Sequence, residues 1–419
     1  MRKFIKYYIL VIAVAVYPAA FLLAQDDSQS DLRENPEMES DKSGVYVAPS
    51  VDYPSFIKID KNVIDLNGAD WAHLVSLIDS ASSRRINIVH VGDSHLQADM
   101  ATAVTRNRLG DHYGSAGRSL IVPFRLAGTN EPVDYSVKTE SSVEQSRLLK
   151  TPWPTAMGFT GIAVRPLAGE FSLDITALQP FDSIAIYYTG ENLCILNHDK
   201  IHLERPGLTT VALDDTCSVF SLKCKVDKAV DIHGFNLIKG KTGVAYHVIG
   251  NNGATFGAYN GINGFPDGVA ALDPSLIIIS LGTNEAFGKV SDIEMKKQIH
   301  TLVSSLKASC PSAFLLLTTP SECQRRTYRG KGRRRRNTGF VINANVKRLR
   351  NVILDYSKEQ NIPVYDFYAI AGGEGSSVKW LNSGNMNKDR IHLLRSGYTL
   401  QGHLFTDALE NAFSEARKK

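Results

Sequence analysis

Three short polar segments of this chain have the residue types of a hydrolytic active site. They are Gly-Asp-Ser-His at 92–95, Gly-Thr-Asn-Glu at 282–285 and Asp-Arg-Ile-His at 389–392. Together they offer a hydroxyl nucleophile, an amide donor, and an imidazole base with a carboxylate close by, which is what attack on an ester carbonyl requires. None of the three is specific alone, and the prediction depends on their order and spacing along the chain.

Ser94 is the predicted nucleophile of this site. A serine hydroxyl attacks a carbonyl only when a neighbouring base takes its proton. His392 is the candidate base, and Asp389, earlier in the same segment, could hold the imidazole tautomer and stabilise the charged ring. Each residue also has a plainer interpretation, because Ser94 could cap the following helix and the other two could belong to a polar loop before a helix.

Two further residues could stabilise the oxyanion that forms when an ester is attacked. Such an oxyanion needs several positioned donors. The backbone N–H of Ser94 could be one donor, the backbone N–H of Gly253 a second, since glycine allows close approach, and the side-chain amide of Asn284 a third. If Asn284 stood alone, a simple turn position would be the more ordinary interpretation.

The elements around these residues alternate between strands and helices. Short apolar runs end just before Ser94, Gly253 and Asn284. Such runs are typical of buried parallel strands. The predicted strands are 86–91, 244–249, 276–281, 314–317 and 363–366, and the predicted helices are 69–82, a helix with Met100, Val104 and Leu109, 292–307 with Ile293, Ile299, Val303 and Leu306 inward, 341–359 and 396–416. This repetition predicts an α/β fold with a doubly wound, flavodoxin-like, mainly parallel sheet, whose carboxyl edge presents the polar residues.

One interval is too long for this pattern. Ser94 and Gly253 are 159 positions apart, whereas a strand–helix–strand unit needs roughly 30 residues. Within the interval, segments 171–175, 183–188 and 218–222 alternate apolar and polar residues, and Gly and Pro separate them. This composition predicts an inserted β-sandwich-like module over 123–241, which could bind carbohydrate or could serve as a lid or packing support.

The first 24 residues have the pattern of a secretory signal peptide. Three basic residues precede an apolar run at 7–24, and Leu-Leu-Ala-Gln at 22–25 is a plausible cleavage site. An uncleaved membrane anchor is the alternative, although Pro18 inside the run disfavours a stable spanning helix. A cleaved signal predicts a periplasmic or secreted protein with no stable membrane insertion.

The organisation that follows is a linker and one hydrolase domain in two parts. Residues 25–50 are polar and acidic and should be a disordered linker, and the predicted hydrolase domain covers 51–122 and 242–419, on either side of the insertion. Loss of the three basic residues of the signal lowers the formal net charge from +4 to about +1. Global charge therefore favours neither nucleic acid nor a membrane surface as the partner.

The cysteines give no metal site. There are five, an odd number, and no pair has the spacing of a zinc motif. An oxidising compartment would allow a bridge such as Cys217–Cys224, and buried free thiols are the alternative.

With these features the chain resembles the SGNH, or GDSL-type, hydrolase family. The resemblance rests on Gly-Asp-Ser at 92–94, Gly253, Gly-Thr-Asn at 282–284 and Asp-x-x-His at 389–392, and it extends over about 86–120 and from 244 to the C-terminus. It implies the SGNH hydrolase fold. It also implies a nucleophile at Ser94, a base at His392 oriented by Asp389, and oxyanion donors at Ser94, Gly253 and Asn284.

Two positions depart from the family pattern. Glu285 stands where the family usually has Asp, and His95 follows the serine in place of a small or apolar residue. Neither change removes a catalytic group, although Glu285 alters the hydrogen bonding expected in its loop.

The resemblance also carries expectations about activity. Segments 88–99 and 248–255 are similar to a secreted bacterial branch with a β-rich insertion, which resembles peptidoglycan O-acetylesterases. This implies ester hydrolysis without a metal or other cofactor, through an acyl-Ser94 intermediate that water resolves. The expected substrate is an O-acylated glycan of the envelope or exterior, with peptidoglycan as the leading candidate. A glycan-binding or scaffolding protein with a little-used site and an O-acyltransferase are the alternatives, and a lipase is less favoured because no long apolar lid is visible.

One basic stretch has no part in this chemistry. It follows the predicted strand at 314–317, near the expected edge of the site, and consists of Arg325, Arg326, Arg329, Lys331 and Arg333 to Arg336. Composition alone would allow a nucleic-acid partner, but export argues against it. A polyanion such as a teichoic-type polymer, lipid phosphate or an acidic glycan could bind there, and a solvated loop is the plainer interpretation.

Overall fold

Three β-sheets organise the part of the chain that the computed structural model describes, residues 49–191, 193–330 and 336–418. They have six, nine and two strands. The predicted signal peptide at 1–24, its membrane-anchor alternative and nearly all of the predicted linker at 25–50 lie outside the described residues. Within them, no helix combines the length and the apolar composition that crossing a bilayer requires.

The strands and helices are as follows, in chain order. The strands are β1 (Ile64–Asp65), β2 (Arg85–Gly92), β3 (Ser119–Ile121), β4 (Tyr135–Lys138), β5 (Val143–Arg147), β6 (Ile162–Pro166), β7 (Glu170–Thr189), β8 (Cys194–Ile195), β9 (Ile201–Arg205), β10 (Leu208–Lys225), β11 (Asp231–Ile238), β12 (Gly243–Gly250), β13 (Pro274–Ser280), β14 (Phe314–Thr318), β15 (Gln324–Arg329), β16 (Arg336–Ile342) and β17 (Val364–Tyr365). The helices are α1 (Ala72–Asp79), α2 (Ser94–Gln97), α3 (Met100–Tyr113), α4 (Phe256–Asn260), α5 (Phe265–Ala270), α6 (Asp292–Ser309), α7 (Ala344–Glu359), α8 (Phe367–Ile370), α9 (Ser376–Asn382) and α10 (Arg395–Arg417).

The six-stranded sheet has the order β1-β17-β14-β13-β2-β12 and is parallel except at β1. Its strands are apolar on both faces because helices cover both. On β13, Ile277 and Ile279 join one hydrophobic cluster with residues of α6 and α7. Leu276 and Ile278, which alternate with them, join a second cluster with residues of α1, α3 and α10. The predicted doubly wound α/β fold is therefore confirmed.

The insertion between β2 and β12 is a nine-stranded antiparallel sheet. The predicted segments 171–175 and 183–188 belong to one long strand, β7, which pairs with β10, also a long strand, through bulges around Cys217. The first half of β7 pairs with β4 and the second half with β11. Both halves contribute to one hydrophobic cluster, and all nine strands belong to one hydrogen-bonded sheet. The sheet also includes β3, which precedes residue 123.

The prediction that Ile293 lies on the buried face of α6 is wrong. Ile293 is 83 % exposed, whereas Met295, Ile299, Val303 and Leu306 are buried. Buried positions on a helix recur at intervals of three and four residues. Ile293 lies two positions before Met295, which places it about 200° around the helix axis and on the solvent side.

The chain after β14 corrects two further expectations. The described ends of the basic stretch, predicted as a loop, are strands of the hairpin β15–β16, and the helix predicted from 341 begins at Ala344. Val341 and Ile342 complete β16, consistent with the β propensity of branched residues. Asn343 ends the strand and caps α7, with its side chain accepting the N–H of Asn345.

The five cysteines are free thiols. Cys217 and Cys224 lie on the same strand, β10. Seven residues of extended chain span roughly 20 Å, whereas a disulfide needs Cα atoms about 4–7 Å apart. The bridge that the sequence allowed between these two residues therefore does not form.

Candidate active site

Ser94, Gly253 and Asn284 meet at one edge of the parallel sheet because the strands before them end together. Gly92 at the end of β2 pairs with Gly250 at the end of β12, and also with Ser280 at the end of β13. Ser94, Gly253 and residues 282–284 therefore leave neighbouring strands at the carboxyl edge, as the strand predictions require.

Ser94 is presented by a tight turn between β2 and the short helix α2. Asp93 caps this helix, and its Oδ1 accepts the backbone N–H of His95 at 3.0 Å. A side chain on Gly92 could not be accommodated, because its Cβ would lie 2.5 Å from Leu96 Cδ1 and 2.8 Å from the Ser280 carbonyl oxygen. Glycine at this position lets the helix turn directly off the strand, with Ser94 as its first residue.

The structure brings Ser94, His392 and Asp389 into one hydrogen-bonded chain. Ser94 Oγ lies 2.8 Å from His392 Nε2, and His392 Nδ1 lies 2.7 Å from Asp389 Oδ2. An ionised carboxylate only accepts hydrogen bonds, so Nδ1 carries the proton and Nε2 is left to accept the serine O–H. The side chains of His392 and Asp389 are partly open to solvent, with exposed fractions of 19 % and 28 %.

A closed loop holds Asp389 and His392 in this arrangement. Asp389 Oδ1 accepts the backbone N–H groups of Ile391 and His392, at 2.9 and 3.0 Å. Arg390 adopts φ of +61°, an uncommon conformation for a residue with a side chain, and Asn387 hydrogen-bonds across the loop to both Arg390 and His392. Burial alone would raise the pKa of Asp389, but the hydrogen bond and charge of His392, with these backbone N–H groups, lower it.

Asn284 ties the loops of the three strands together. Its Nδ2 donates to the Ala254 carbonyl oxygen at 2.9 Å and to Asp93 Oδ2 at 3.2 Å. Gly253, next to Ala254, has φ of +81°, which favours glycine, and a Cβ there would lie 2.6 Å from Leu149 Cδ1. The Asn284 amide is therefore bonded to the residue next to Gly253, on the sheet edge that also carries Ser94.

The insertion supports the loop that carries Gly253. Gln97 Oε1 accepts the Asn252 backbone N–H at 2.8 Å, and Gln97 Nε2 donates to Asn130 Oδ1 at 2.7 Å. Asn252 Nδ2 donates to the same Asn130 oxygen at 2.7 Å. Since Asn130 lies between β3 and β4, the insertion fixes one side of the site, and nothing in the sequence identified Gln97 as the link.

Two buried carboxyls, for which the sequence analysis predicted no role, lie behind the site. Asp93 and Glu285 are 1 % and 4 % exposed. Glu285 Oε1 accepts the backbone N–H of Phe256 at 2.8 Å, which joins the Asn284 loop to helix α4. Burial raises the pKa of Asp93 to about 6 and that of Glu285 to about 7, and the charge of Asp93 adds to the rise at Glu285. One oxygen of the longer Glu285 side chain is thus bonded to backbone across the loop.

His95, the second departure from the family pattern, packs against the base. Its ring centroid lies 5.2 Å from that of His392, and the Tyr398 hydroxyl lies 3.0 Å from its Nδ1. Removal from water, followed by the charge of His392, lowers the pKa of His95 to about 3. A neutral His95 ring thus supports the His392 ring. Tyr398 belongs to α10 and carried no motif that could have identified it.

The described residues include no group of three or more His, Cys, Asp or Glu side chains placed to hold a metal ion.

Comparison with known protein families supports this assembly of segments. Residues 235–400 match the model of the family described as GDSL-like lipase/acylhydrolase. The matched segment contains Gly253, Asn284, Asp389 and His392 but starts well after Ser94. In the sheet, β2 lies between β12 and β13, two strands of the matched segment. Ser94, which follows β2, therefore lies among matched residues in space although it precedes them in sequence.

One solved structure shares the fold, and others are similar to a lesser degree. The structure of a peptidoglycan O-acetylesterase is similar to this chain with a TM-score of 0.70 and 18 % sequence identity, covering 86 % of this chain and 100 % of that one. Protein YXIM of Bacillus subtilis gives a TM-score of 0.34 at 14 % identity, covering 67 % of this chain and 90 % of its own. A GDSL-like lipase of Bacteroides thetaiotaomicron gives 0.30 at 21 % identity, covering 41 % and 76 %. The comparison with curated proteins found no match.

Proposed function

This chain belongs to the SGNH/GDSL hydrolase family and is a carboxylic ester hydrolase, and from that premise we propose that it removes O-acetyl or other short acyl groups from a polysaccharide. Peptidoglycan is the leading substrate, since the chain has the fold of a peptidoglycan O-acetylesterase over most of its length. The observation that carries the proposal is the contact of 2.8 Å between Ser94 Oγ and His392 Nε2.

In the proposed mechanism, Ser94 Oγ attacks the ester carbonyl while His392 Nε2 takes the hydroxyl proton. Asp389 stabilises the imidazolium that results, and its lowered pKa keeps it ionised for this role. Collapse of the tetrahedral intermediate breaks the bond to the sugar oxygen, which receives the proton from His392. Water, deprotonated by the same ring, then releases acetate from acyl-Ser94 and restores the serine.

The oxyanion of each tetrahedral intermediate requires donors on the Ser94 edge of the sheet. We assign these to the backbone N–H groups of Ser94 and Gly253 and to the Asn284 amide. Asn284 Nδ2 is held at 2.9 Å by the Ala254 carbonyl, and its longer contact, 3.2 Å to Asp93, is the one that the oxyanion would replace. Asp93 and Ala254 thus preorganise the amide before substrate arrives.

The proposal also covers the cellular location of the protein and its domain organisation. The basic and apolar pattern at 1–24 supports export to the periplasm or exterior, where O-acylated glycans occur. The hydrolase domain would comprise 51–122 and 242–419, with 123–241 as the inserted module that buttresses the Gly253 loop through Asn130.

Acetate release tests the proposal. The purified mature protein should release acetate from O-acetylated peptidoglycan and from p-nitrophenyl acetate, and Ser94→Ala should abolish both. Glycan retention without acetate release would favour a binding protein, and transfer of acetyl to an added sugar in preference to water would favour an acyltransferase. Release that persists in both Ser94→Ala and His392→Ala would remove these residues from the site.

A further inference from the structure

A cation that the proposed chemistry leaves unused lies inside the catalytic loop. Arg390 is the residue after Asp389 and is two positions before His392. Its Nη1 donates to Gln324 Oε1 at 2.8 Å, and its carbonyl oxygen accepts the Gln324 backbone N–H at 2.9 Å. Gln324 is the first residue of β15. The hairpin β15–β16 is therefore anchored directly on the loop that holds the base.

An aromatic ring of the hairpin brings a second cation to the same place. The Arg390 guanidinium lies 4.1 Å from the ring centroid of Phe340, and that of Arg326 lies 5.8 Å from it. Arg326 and Phe340 are cross-strand partners, so they share one face of the hairpin. The guanidiniums of Arg326 and Arg390 therefore lie no more than about 10 Å apart.

Three more arginines extend the positive charge along the hairpin. Arg325, Arg329 and Arg336 are exposed on the opposite face of the hairpin from Arg326, and Arg329 pairs with Arg336. Across the described ranges, none of these three residues, Arg326 or Arg390 forms a salt bridge. Some exposed cations of the fold do form a salt bridge, such as Lys347 with Glu374 and Lys296 with Glu359. Since like charges in proximity destabilise the free protein, an unpaired group of arginines suits an anion from outside the chain.

The length of the hairpin limits what that anion can be. Six residues of β15 span about 17 Å at about 3.3 Å per residue, from Gln324 beside Arg390 to Arg329. A ligand that contacts both Ser94 and the far end of this row must be a polymer. Guanidinium groups bind carboxylates in a bidentate manner, and a glycan strand that bears carboxylates can place one of them at successive arginines.

We propose that Arg390 and Arg326 on one face of the hairpin, and Arg325, Arg329 and Arg336 on the other, form a binding track along it for the carboxylates of the acylated glycan strand, which leads the strand to Ser94. This inference rests on the proposed function, because it takes the substrate to be a glycan polymer. It adds that the substrate is anionic and that recognition extends beyond the ester itself.

Binding measured with a variant that cannot hydrolyse the substrate tests the track separately from catalysis. In the Ser94→Ala background, the dissociation constant would be measured for soluble O-acetylated peptidoglycan strands with free stem-peptide carboxyls, and for the same strands after amidation of those carboxyls. The triple variant R325Q/R329Q/R336Q should bind the free-carboxyl strands about tenfold more weakly, since each exposed ion pair contributes about 0.2–1 kcal/mol. Arg→Lys at the same positions should recover part of the loss.

A matched control removes three positive charges from the opposite edge of the sheet. Lys241 precedes β12, and Lys307 and Lys358 lie in the last turns of α6 and α7. K241Q/K307Q/K358Q changes the net charge equally but should leave binding of the free-carboxyl strands unchanged. Raising ionic strength from about 0.05 to about 0.5 M should weaken binding of the parent protein and have less effect on the hairpin variant.

Three results would overturn the inference. They are equal affinity for free-carboxyl and amidated strands, equal losses in the hairpin and control variants, and stronger binding to anionic phospholipid vesicles or single-stranded DNA than to the glycan. In each case acetate release by the parent enzyme could still occur, so the proposed function would stand. If the parent released no acetate while the track variant lost binding as expected, the proposed function would fail instead.

Discussion

Replacing Glu285 by Gln should change how the stability of the protein depends on pH. Glu285 is 4 % exposed, and its Oε1 accepts the Phe256 N–H at 2.8 Å. Its Oε2 is buried without a hydrogen-bond partner among the described residues. Burial raises the pKa of this carboxyl from 4.5 to about 7, so the fold favours its protonated form. Gln keeps the acceptor for Phe256 and is neutral at every pH.

The magnitude follows from the size of the pKa rise. A group whose pKa is higher in the folded than in the unfolded state stabilises the fold fully below the unfolded value, and this contribution is lost as pH rises through the folded value. For Glu285 the loss runs from about pH 4.5 to about pH 7. At 1.36 kcal/mol per unit it amounts to about 3 kcal/mol in the free energy of unfolding. Glu285→Gln should therefore match the parent near pH 4.5 and exceed it by about 3 kcal/mol near pH 8.

Urea denaturation of both proteins across this pH range measures the difference. The raised pKa of Asp93 acts in the same direction and is present in both proteins, so the comparison measures Glu285 together with its charge interaction with Asp93. Glu285→Ala is the control: it is uncharged like the Gln variant but leaves the Phe256 N–H without its acceptor, so it should be about 1–3 kcal/mol less stable than Glu285→Gln at every pH. If the Gln variant and the parent stay parallel from pH 4.5 to pH 8, Glu285 is not held protonated by burial and the reasoning is wrong.

The remaining predictions concern turnover. His392→Ala should lower kcat on p-nitrophenyl acetate by at least about a thousandfold, while the melting temperature should change little because the ring is partly exposed and supports no core cluster; a large drop in melting temperature would mark His392 as structural. Asn284→Ala should lower kcat by roughly 10²–10³ through loss of one oxyanion donor, and a near-normal rate would exclude Asn284 from that role.

Most of the site could be predicted because parallel strands place their ends together. Apolar runs fixed β2, β12 and β13, and their shared register carries Ser94, Gly253 and Asn284 to one edge. The spacing could not supply the contact of Asp93 with Asn284 or that of Glu285 with Phe256, since each joins two loops that are far apart in sequence. Tyr398 was equally invisible, because its contact with His95 spans the sequence from one end of the fold to the other.

Errors in the fold prediction have local causes. Ile293 was placed in the core because it is apolar, although its angular position on α6 points it to solvent. The basic stretch was taken as a loop because consecutive arginines hide the β-forming residues at 338–342, which pair with β15. The pairing of β7 with β10 shifts register around Cys217, and such irregularities do not follow from alternation alone.

Covalent labelling of the serine tests the central claim, that His392 activates Ser94. Treatment with a fluorophosphonate, followed by peptide mass spectrometry, should place one adduct on Ser94, and the labelling rate should fall by orders of magnitude in His392→Ala. A Ser94 that stays unlabelled in the active protein, or that reacts equally fast without His392, would contradict the account.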